Sequence, residues 1–276
     1  MTVRLVTDSA SDLPPEWIRE FGITVVDLHL VEEDDQAVST AAVTPEQMAE
    51  TYSELLADPE CTGIVSVHLS QDLSRTWQSA ADASHRFGGR VLVSDSRNAA
   101  MAYGSAVAQC AWAAQQGLGL SATYELAERL SRGAITFAAL ESLDSLRRGG
   151  RISAFAALFG GALAMRPVIV MRDGTMQLAA KARTTSKAHL RLRALLREVA
   201  HDGDVLVAVH HLDAPERAEE MATEIRKETQ FPERVVIVEF DEVLGWHLGP
   251  GTVGVSVTEL ADPEFPIPVP SPQPGD

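Results

Sequence analysis

A short run of hydroxyl and basic side chains, Ser74-Arg75-Thr76, stands at the predicted start of a helix from about Ser74 to Phe87. Free backbone N–H groups and the positive end of the helix dipole favour an anion at such a position. The two hydroxyls could add hydrogen bonds, and Arg75 could add a cation. The run therefore indicates an anion-binding loop, although Ser74 could instead serve only as a helix N-cap.

Two further segments carry charge or a titratable ring. Arg147-Arg148-Gly149-Gly150-Arg151 is the densest basic cluster of the chain, and its glycines permit close backbone approach. Arg151 could neutralise a buried anion, or the cluster could be a solvated link between domains. Trp246-His247-Leu248-Gly249-Pro250-Gly251 predicts a rigid loop that presents His247 as a donor or acceptor near neutral pH. A hydrogen-bonded structural histidine is the open alternative for His247.

Short polar residues also follow two of the predicted strands. Asp8 and Ser9 come after the first strand, and Asp95 and Ser96 come after the fourth. Ligands in open α/β sheets bind beyond the carboxyl ends of strands. These four residues are therefore candidates for a secondary loop of the site, with turn formation and capping as the alternative.

Several common catalytic and cofactor patterns are missing from the sequence. It contains no phosphate-binding P-loop, no zinc-type cysteine pairs and no Gly-x-Ser-x-Gly elbow. His210 and His211 end a predicted strand, where adjacent side chains point to opposite faces and chelate poorly. We therefore expect no metal, no cofactor and no ATP binding by this chain alone.

The elements that must position these residues form two α/β domains. In the first half, predicted strands at residues 3–7, 24–30, 63–68, 91–94 and 135–140 alternate with helices, which indicates a mainly parallel, Rossmann-like sheet. Beyond Arg166, a hairpin at Asp173-Gly174 and two strand–helix crossovers predict a smaller mixed α/β domain. We predict domains at residues 1–155 and 156–260, followed by a proline-rich, disordered tail at residues 261–276.

Composition restricts the surroundings of the protein. The 276 residues carry a formal net charge of −16, which disfavours nonspecific binding to nucleic acid or to anionic lipid. No secretory signal is recognisable, and no apolar run reaches the ~18 residues of a membrane span. The only cysteines, Cys61 and Cys110, are expected to be reduced. We expect a cytoplasmic monomer that makes at most transient membrane contact.

Six motifs follow one another between Val3 and about Glu259. They are Thr7-Asp8-Ser9-Ala10-Ser11-Asp12-Leu13-Pro14, the segment Leu73-Ser74-Arg75-Thr76-Trp77-Gln78-Ser79-Ala80, Asp95-Ser96 with Met101 and Gly104, Gly149-Gly150-Arg151-Ile152-Ser153, Met165-Arg166-Pro167 with Asp173-Gly174 and Lys181-Ala182-Arg183-Thr184, and His247-Leu248-Gly249-Pro250-Gly251. Together, and in this order, they resemble the motifs of the DegV family. The chain departs from the family pattern at Thr40-Ala41-Ala42-Val43-Thr44, and at Arg75, which replaces a loop glycine.

The resemblance implies a carrier that is not itself an enzyme. It would bury a long-chain fatty acid and present the carboxylate to a separate ATP-dependent fatty acid kinase subunit, which would form an acyl phosphate. Thr40 and Ser74 would hydrogen-bond the carboxylate, with Thr76 nearby. Arg151, Arg183 and His247 would be charged residues of the mouth, which serve the anion, the phosphate or the partner. The acyl chain would run into the core of the second domain.

Two other classes of function remain open from the residues alone. A hydrolase or another enzyme of small acids would use Ser74 as nucleophile and His247 as general acid–base, and it would need a carboxylate that orients His247. A protein that serves only as an interaction module would account for the charged surface, but it would not account for the polar residues in the loops. Burial of a fatty-acid chain would supply enough free energy for binding, because about sixteen carbons at ~0.8 kcal/mol each contribute on the order of 10 kcal/mol before the costs of binding.

Overall fold

The computed structural model describes residues 2–33, 37–152, 165–200, 204–229 and 232–268, without the side chains of residues 32, 33 and 37–40. In chain order, the first unit contains β1 (Thr2–Asp8), α1 (Pro15–Phe21), β2 (Thr24–Val26), β3 (His29–Glu33), β4 (Ala37–Ala41), α2 (Pro45–Ala57), β5 (Cys61–His68), α3 (Thr76–Ser84), β6 (Val91–Asp95), α4 (Met101–Gln115) and α5 (Leu120–Gly133). The second unit contains β7 (Ile135–Ala139), α6 (Asp144–Arg148), β8 (Arg166–Arg172), β9 (Thr175–Ala182), α7 (Thr185–Val199), β10 (Val205–His211), α8 (Pro215–Arg226), β11 (Val235–Glu239), α9 (Glu242–Leu248) and β12 (Val253–Glu259).

The first sheet is parallel throughout, in the order β2-β1-β5-β6. Its central strands β1 and β5 are buried along most of their length, because helices cover both faces. Helix α4 is apolar on almost every side and is buried along nearly its whole length. A helix of this kind must lie inside the protein, and α4 contacts both β1 of this sheet and β12 of the second sheet.

The second sheet is mixed, in the order β11-β10-β12-β7-β8-β9, and only the pair β10–β11 is parallel. The two-residue turn Asp173-Gly174 joins β8 to β9, and both residues have positive φ (51° and 87°), as the sequence predicted. The predicted α/β class with one mainly parallel and one mixed sheet is confirmed.

Two strand predictions are corrected. Residues 135–140 do form a strand, β7, but it pairs with β12 and β8 in the second sheet instead of extending the first. The mixed sheet is therefore the larger one, and the chain enters it before Arg151. The predicted strand at 24–30 divides into β2 and β3, and β3 forms a hairpin with β4 outside either sheet. The boundary near residue 155 stays a prediction, because residues 153–164 lie outside the described part.

The second sheet buries both of its faces. One face packs against α7 and α8 around Leu192, Leu196 and Met221. The other face carries Ile169 and Met171, which belong to the same apolar cluster as the core of the first unit. The two units therefore pack face to face. The β8–β9 turn fastens them, because Ser70 Oγ donates to the carbonyl of Gly174 at 2.7 Å and Arg97 Nη2 donates to that of Asp173 at 3.0 Å.

The prediction of a disordered tail from residue 261 is wrong for residues 261–268. Phe265 is only 5% exposed and stacks on Phe21 with ring centroids 5.3 Å apart. Its ring also meets Trp17 and Trp112 edge-on. Trp17 Nε1 donates to the carbonyl of Pro268 at 3.1 Å. The tail thus returns from β12 to the first unit, and residues 269–276 lie outside the description.

Cys61 and Cys110 are free and buried. Within the described ranges, no helix has both the length and the apolar character that crossing a membrane requires.

Candidate functional site

An apolar cavity of about 170 Å³ lies between the two units. The inner faces of β7 and β8 form one wall with Ala138, Ile169 and Met171, and Val243 and Leu244 of α9 form another. The first unit closes it with the apolar side chains Leu28, Ala41, Ala42, Leu69, Leu73, Ala99 and Ala100. The cavity is therefore at the interface, whereas the resemblance implied a chain that runs into the core of the second domain.

A second, polar space of about 390 Å³ adjoins this cavity. Gln71, Asp72, Gly150 and Thr175 border the polar space alone. The residues that border both spaces are Leu73, Ser74, Arg75, Arg151 and Met176. The apolar cavity thus meets a polar vestibule at the loop that the sequence singled out for anion binding.

Ser74 and Thr76 form a hydroxyl pair at the start of α3. Their oxygens are 2.8 Å apart, and the Thr76 N–H donates to Ser74 Oγ at 3.2 Å. Ser74 is half-buried and Thr76 is buried. If the Thr76 hydroxyl donates to Ser74, the Ser74 proton is left for an anion in the vestibule. No described residue acts as a base on Ser74, so the contacts do not favour a nucleophilic serine.

Arg75 stands where the family pattern has a glycine, and its backbone accommodates the change. Its φ of −83° and ψ of 0° are available to any residue. The replacement therefore causes no strain, and it places an exposed cation at the junction of the two spaces.

Arg151 is half-buried and hydrogen-bonds to two carbonyl oxygens. Its Nη1 donates to Gly149 at 2.8 Å, while Nε and Nη2 donate to Leu73 at 3.4 and 3.3 Å. Among the described residues, none of the ion pairs includes Arg151. The guanidinium is thus held in place by neutral acceptors, and its charge is available to an anion.

His247 differs from its prediction in two respects. It lies in the last turn of α9, not in a loop, and Gly249 ends that helix. Burial, with a smaller contribution from the nearby Arg151 charge, lowers the pKa of His247 to about 4. The imidazole is therefore neutral at neutral pH, so it lines the cavity as a hydrogen-bonding ring and not as a cation.

Asp8 and Ser9 are engaged within the protein. Asp8 is fully buried, where one oxygen lies 2.9 Å from His68 Nδ1 and the other accepts from the Tyr103 hydroxyl at 2.6 Å. Ser9 Oγ donates to Asp241 at 2.9 Å. Neither residue borders the cavity or the vestibule.

Asp95 and Ser96 shape the loop after β6. Asp95 accepts from the backbone N–H groups of Gln71 and Arg97 at 3.2 and 2.9 Å. Ser96 Oγ exchanges local hydrogen bonds with the backbone of Asn98 at 3.2 Å. These contacts correspond to the turn and capping alternative, and neither residue lines the two spaces.

The two remaining predicted residues have different positions. The side chain of Thr40 lies outside the described part, although its backbone pairs with Leu30 and the following Ala41 and Ala42 line the cavity. Arg183 is exposed after β9. At 3.3 Å per residue it lies roughly 20 Å along the strand from Met176, and it borders neither space.

Sequence reasoning missed a buried polar pair that joins the two units. Asp12 Oδ2 and His210 Nδ1 are 3.3 Å apart, and both side chains are fully buried. Burial and the neighbouring Asp241 and Asp8 charges raise the pKa of Asp12, while burial lowers that of His210 to about 3. Both shifts disfavour charge on this buried pair. No local signal could have found it, because the partners are distant in sequence.

Cavity-lining residues on β8 were missed for a related reason. Ile169 and Met171 face the cavity, and Val168 and Val170 face α7. An apolar run that is buried on both faces does not reveal which face borders a ligand space.

This arrangement defines a class: a two-unit α/β protein with an apolar cavity enclosed at the interface and a polar vestibule. A family model described as an uncharacterised protein of the DegV family matches residues 28–260. The chain belongs to the DegV family.

Its relatives match over nearly their full lengths. A DegV domain-containing protein of Streptomyces coelicolor is 36% identical, over 93% of this chain and 98% of that protein. The crystal structure of a DegV family protein from Corynebacterium glutamicum has a TM-score of 0.88 at 32% identity, over 94% of this chain and 98% of that one. A DegV family protein from Thermus thermophilus, solved for its fatty acid binding, has a TM-score of 0.87 at 28% identity, over 94% and 100%.

Proposed function

We propose that this protein binds one long-chain fatty acid, with the acyl chain in the interface cavity and the carboxylate between Ser74 and Arg151. The observation that carries the proposal is the junction itself, where an apolar cavity meets a polar space at a hydroxyl and a guanidinium. The fatty acid binding of the relative from Thermus thermophilus supports the same ligand class.

The charges and polarity of the junction suit a fatty acid. An ionised carboxylate loses much binding energy on leaving water unless it is hydrogen-bonded and paired. Ser74 supplies a donor, and Arg151 supplies a charge without an ion-pair partner among the described residues. Charge-assisted hydrogen bonds of this kind are the strong ones.

The size of the cavity indicates how the chain is accommodated. An apolar cavity of roughly 150 Å³ holds a ligand the size of benzene, so about 170 Å³ admits only part of a long chain. Met171 and Met176 line the space, and methionine side chains adapt readily to irregular volumes. We expect these two side chains to move when a long chain enters.

The first experiment identifies the ligand. Denaturing extraction of the purified protein, followed by mass spectrometry, should release a species of fatty-acid mass. A protein that is lipid-free and also fails to bind added palmitate or oleate would rule out the proposal.

The second experiment tests the carboxylate position. A lost hydrogen bond to a charged group costs about 1.5–3 kcal/mol, so Ser74→Ala should weaken palmitate binding by roughly 10–150-fold. The loss should be smaller for methyl palmitate, which carries no charge. Ser79→Ala, within α3 and outside both spaces, is the matched control. Equal losses for acid and ester would place the carboxylate elsewhere.

We further infer a non-catalytic role beside an ATP-dependent fatty acid kinase subunit in the cytoplasm. The resemblance and the lack of a phosphate-binding glycine loop in the sequence support this division of labour. Arg183, which is exposed and borders neither space, suits contact with a partner rather than with the carboxylate. Arg183→Ala should therefore keep palmitate affinity within roughly two-fold and reduce acyl-phosphate formation when the kinase subunit is added. Unchanged turnover would remove Arg183 from the partner surface.

A further inference from the structure

Gly149, the residue that ends α6, is a glycine for reasons of space and not of backbone conformation. Its φ of −74° and ψ of 0° suit any residue. A Cβ built at this position would nevertheless overlap the imidazole of His247, since the three atoms nearest to it are Nδ1, Cε1 and Cγ of that ring. The His247 ring therefore occupies the volume that any side chain at residue 149 would need.

The backbone of Gly149 also contacts Arg151, which lines the cavity together with His247. Its carbonyl accepts from Arg151 Nη1 at 2.8 Å, and its N–H donates to the Ser145 carbonyl at 2.9 Å. A single residue thus touches the His247 ring on one side and holds the Arg151 guanidinium on the other.

The contact is part of a reciprocal packing between α6 and α9. Gly249 ends α9, and a Cβ there would overlap the Ser145 side chain of α6. Each helix end therefore lacks a side chain where the other helix projects one. Because Gly249 has a φ of 85°, it needs to be glycine on conformational grounds as well, and only Gly149 isolates the steric effect.

We propose that Gly149 is a positioning residue, whose missing side chain lets the His247 ring lie in the cavity wall beside Arg151. The consequence for binding rests on the proposed function, since it assumes that the anion lies next to Arg151. The position of the ring itself does not depend on that assumption.

The neighbouring Gly150 provides a matched control. It has a φ of 69°, and a Cβ at this position would meet no atom within 4 Å. Gly150→Ala thus adds backbone strain in the same loop without touching His247, whereas Gly149→Ala displaces the ring without backbone strain.

The experiment compares Gly149→Ala and Gly150→Ala, each in the wild-type and the His247→Ala background. NMR titration should show the pKa of His247 at about 4 in the wild type. In Gly149→Ala it should rise by about one unit or more, because the ring moves toward solvent and away from the Arg151 charge. In Gly150→Ala the pKa of His247 should stay at the wild-type value. Palmitate affinity should fall roughly ten-fold in Gly149→Ala and by less than about two-fold when His247 is already alanine.

Three outcomes would overturn the proposal: an unchanged His247 pKa in Gly149→Ala, an equal shift in Gly150→Ala, or equal affinity losses in both backgrounds. If Gly149→Ala does not fold, restoration of folding by His247→Ala supports the steric contact, and failure to restore it refutes the contact. A wild-type protein that binds no palmitate would defeat the proposed function alone, because the NMR titration still tests Gly149.

Discussion

Protonation of His247 should destabilise the protein in mild acid. Burial and the Arg151 charge lower its pKa in the folded protein to about 4, while an unfolded chain has a histidine pKa near 6.5. Between these values the unfolded state binds a proton that the folded state does not bind. The contribution of His247 to stability is therefore complete above about pH 6.5 and is lost progressively as the pH falls toward 4.

The size of the effect follows from the two pKa values. One unit corresponds to about 1.4 kcal/mol, so at pH 5 the expected loss relative to pH 8 is about 2 kcal/mol. The charged groups on α6, the helix that packs against α9, are Asp144, Arg147 and Arg148. They are present in both the wild type and a His247 variant, so their contributions cancel in a comparison of the two.

Urea unfolding at pH 8 and pH 5 measures this contribution. The loss of unfolding free energy between the two pH values should be about 2 kcal/mol smaller in His247→Gln than in the wild type. His85→Gln, at an exposed position, should retain the wild-type loss. If His247→Gln loses as much stability as the wild type, His247 is not buried in its neutral form and the geometry of the cavity wall is wrong.

Other parts of the structure give predictions of their own. Phe265→Ala should lower the free energy of unfolding by about 3–5 kcal/mol, because the ring is buried against Trp17 and Phe21. The control Glu264→Ala, at an exposed position, should change this free energy by less than about 0.5 kcal/mol. If urea unfolding gives similar values for both variants, the tail does not hold the units together. Ala138→Leu fills the cavity with three more carbons and should weaken palmitate binding by roughly 10–100-fold. Ala139→Leu faces α7 instead and should lower stability without a selective loss of binding, so equal binding losses in the two variants would argue against this cavity as the acyl site. Calorimetric titration of the chain alone with Mg-ATP should show no binding, and a micromolar Kd would contradict the proposed division of labour.

Features determined by neighbouring residues were predictable from the sequence. The Asp173-Gly174 turn needs only two residues that tolerate positive φ, and it was confirmed. The capping box of α2 needs only Thr44 and Gln47, and both of its hydrogen bonds are present. Ser74, Arg151 and His247 could be selected as site candidates because their local surroundings of hydroxyls, glycines and charges are visible in the sequence.

Features that depend on distant parts of the chain required the tertiary structure. The strand β7 has the apolar pattern of either sheet, and only its pairing with β12 and β8 assigns it to the second. A proline-rich segment is ordered only where it packs against the rest of the protein. Here Phe265 packs against Trp17, Phe21 and Trp112. The charge of His247 depends on burial by residues far away in sequence. In each case the deciding free energy comes from desolvation or pairing between segments that are brought together only when the chain folds.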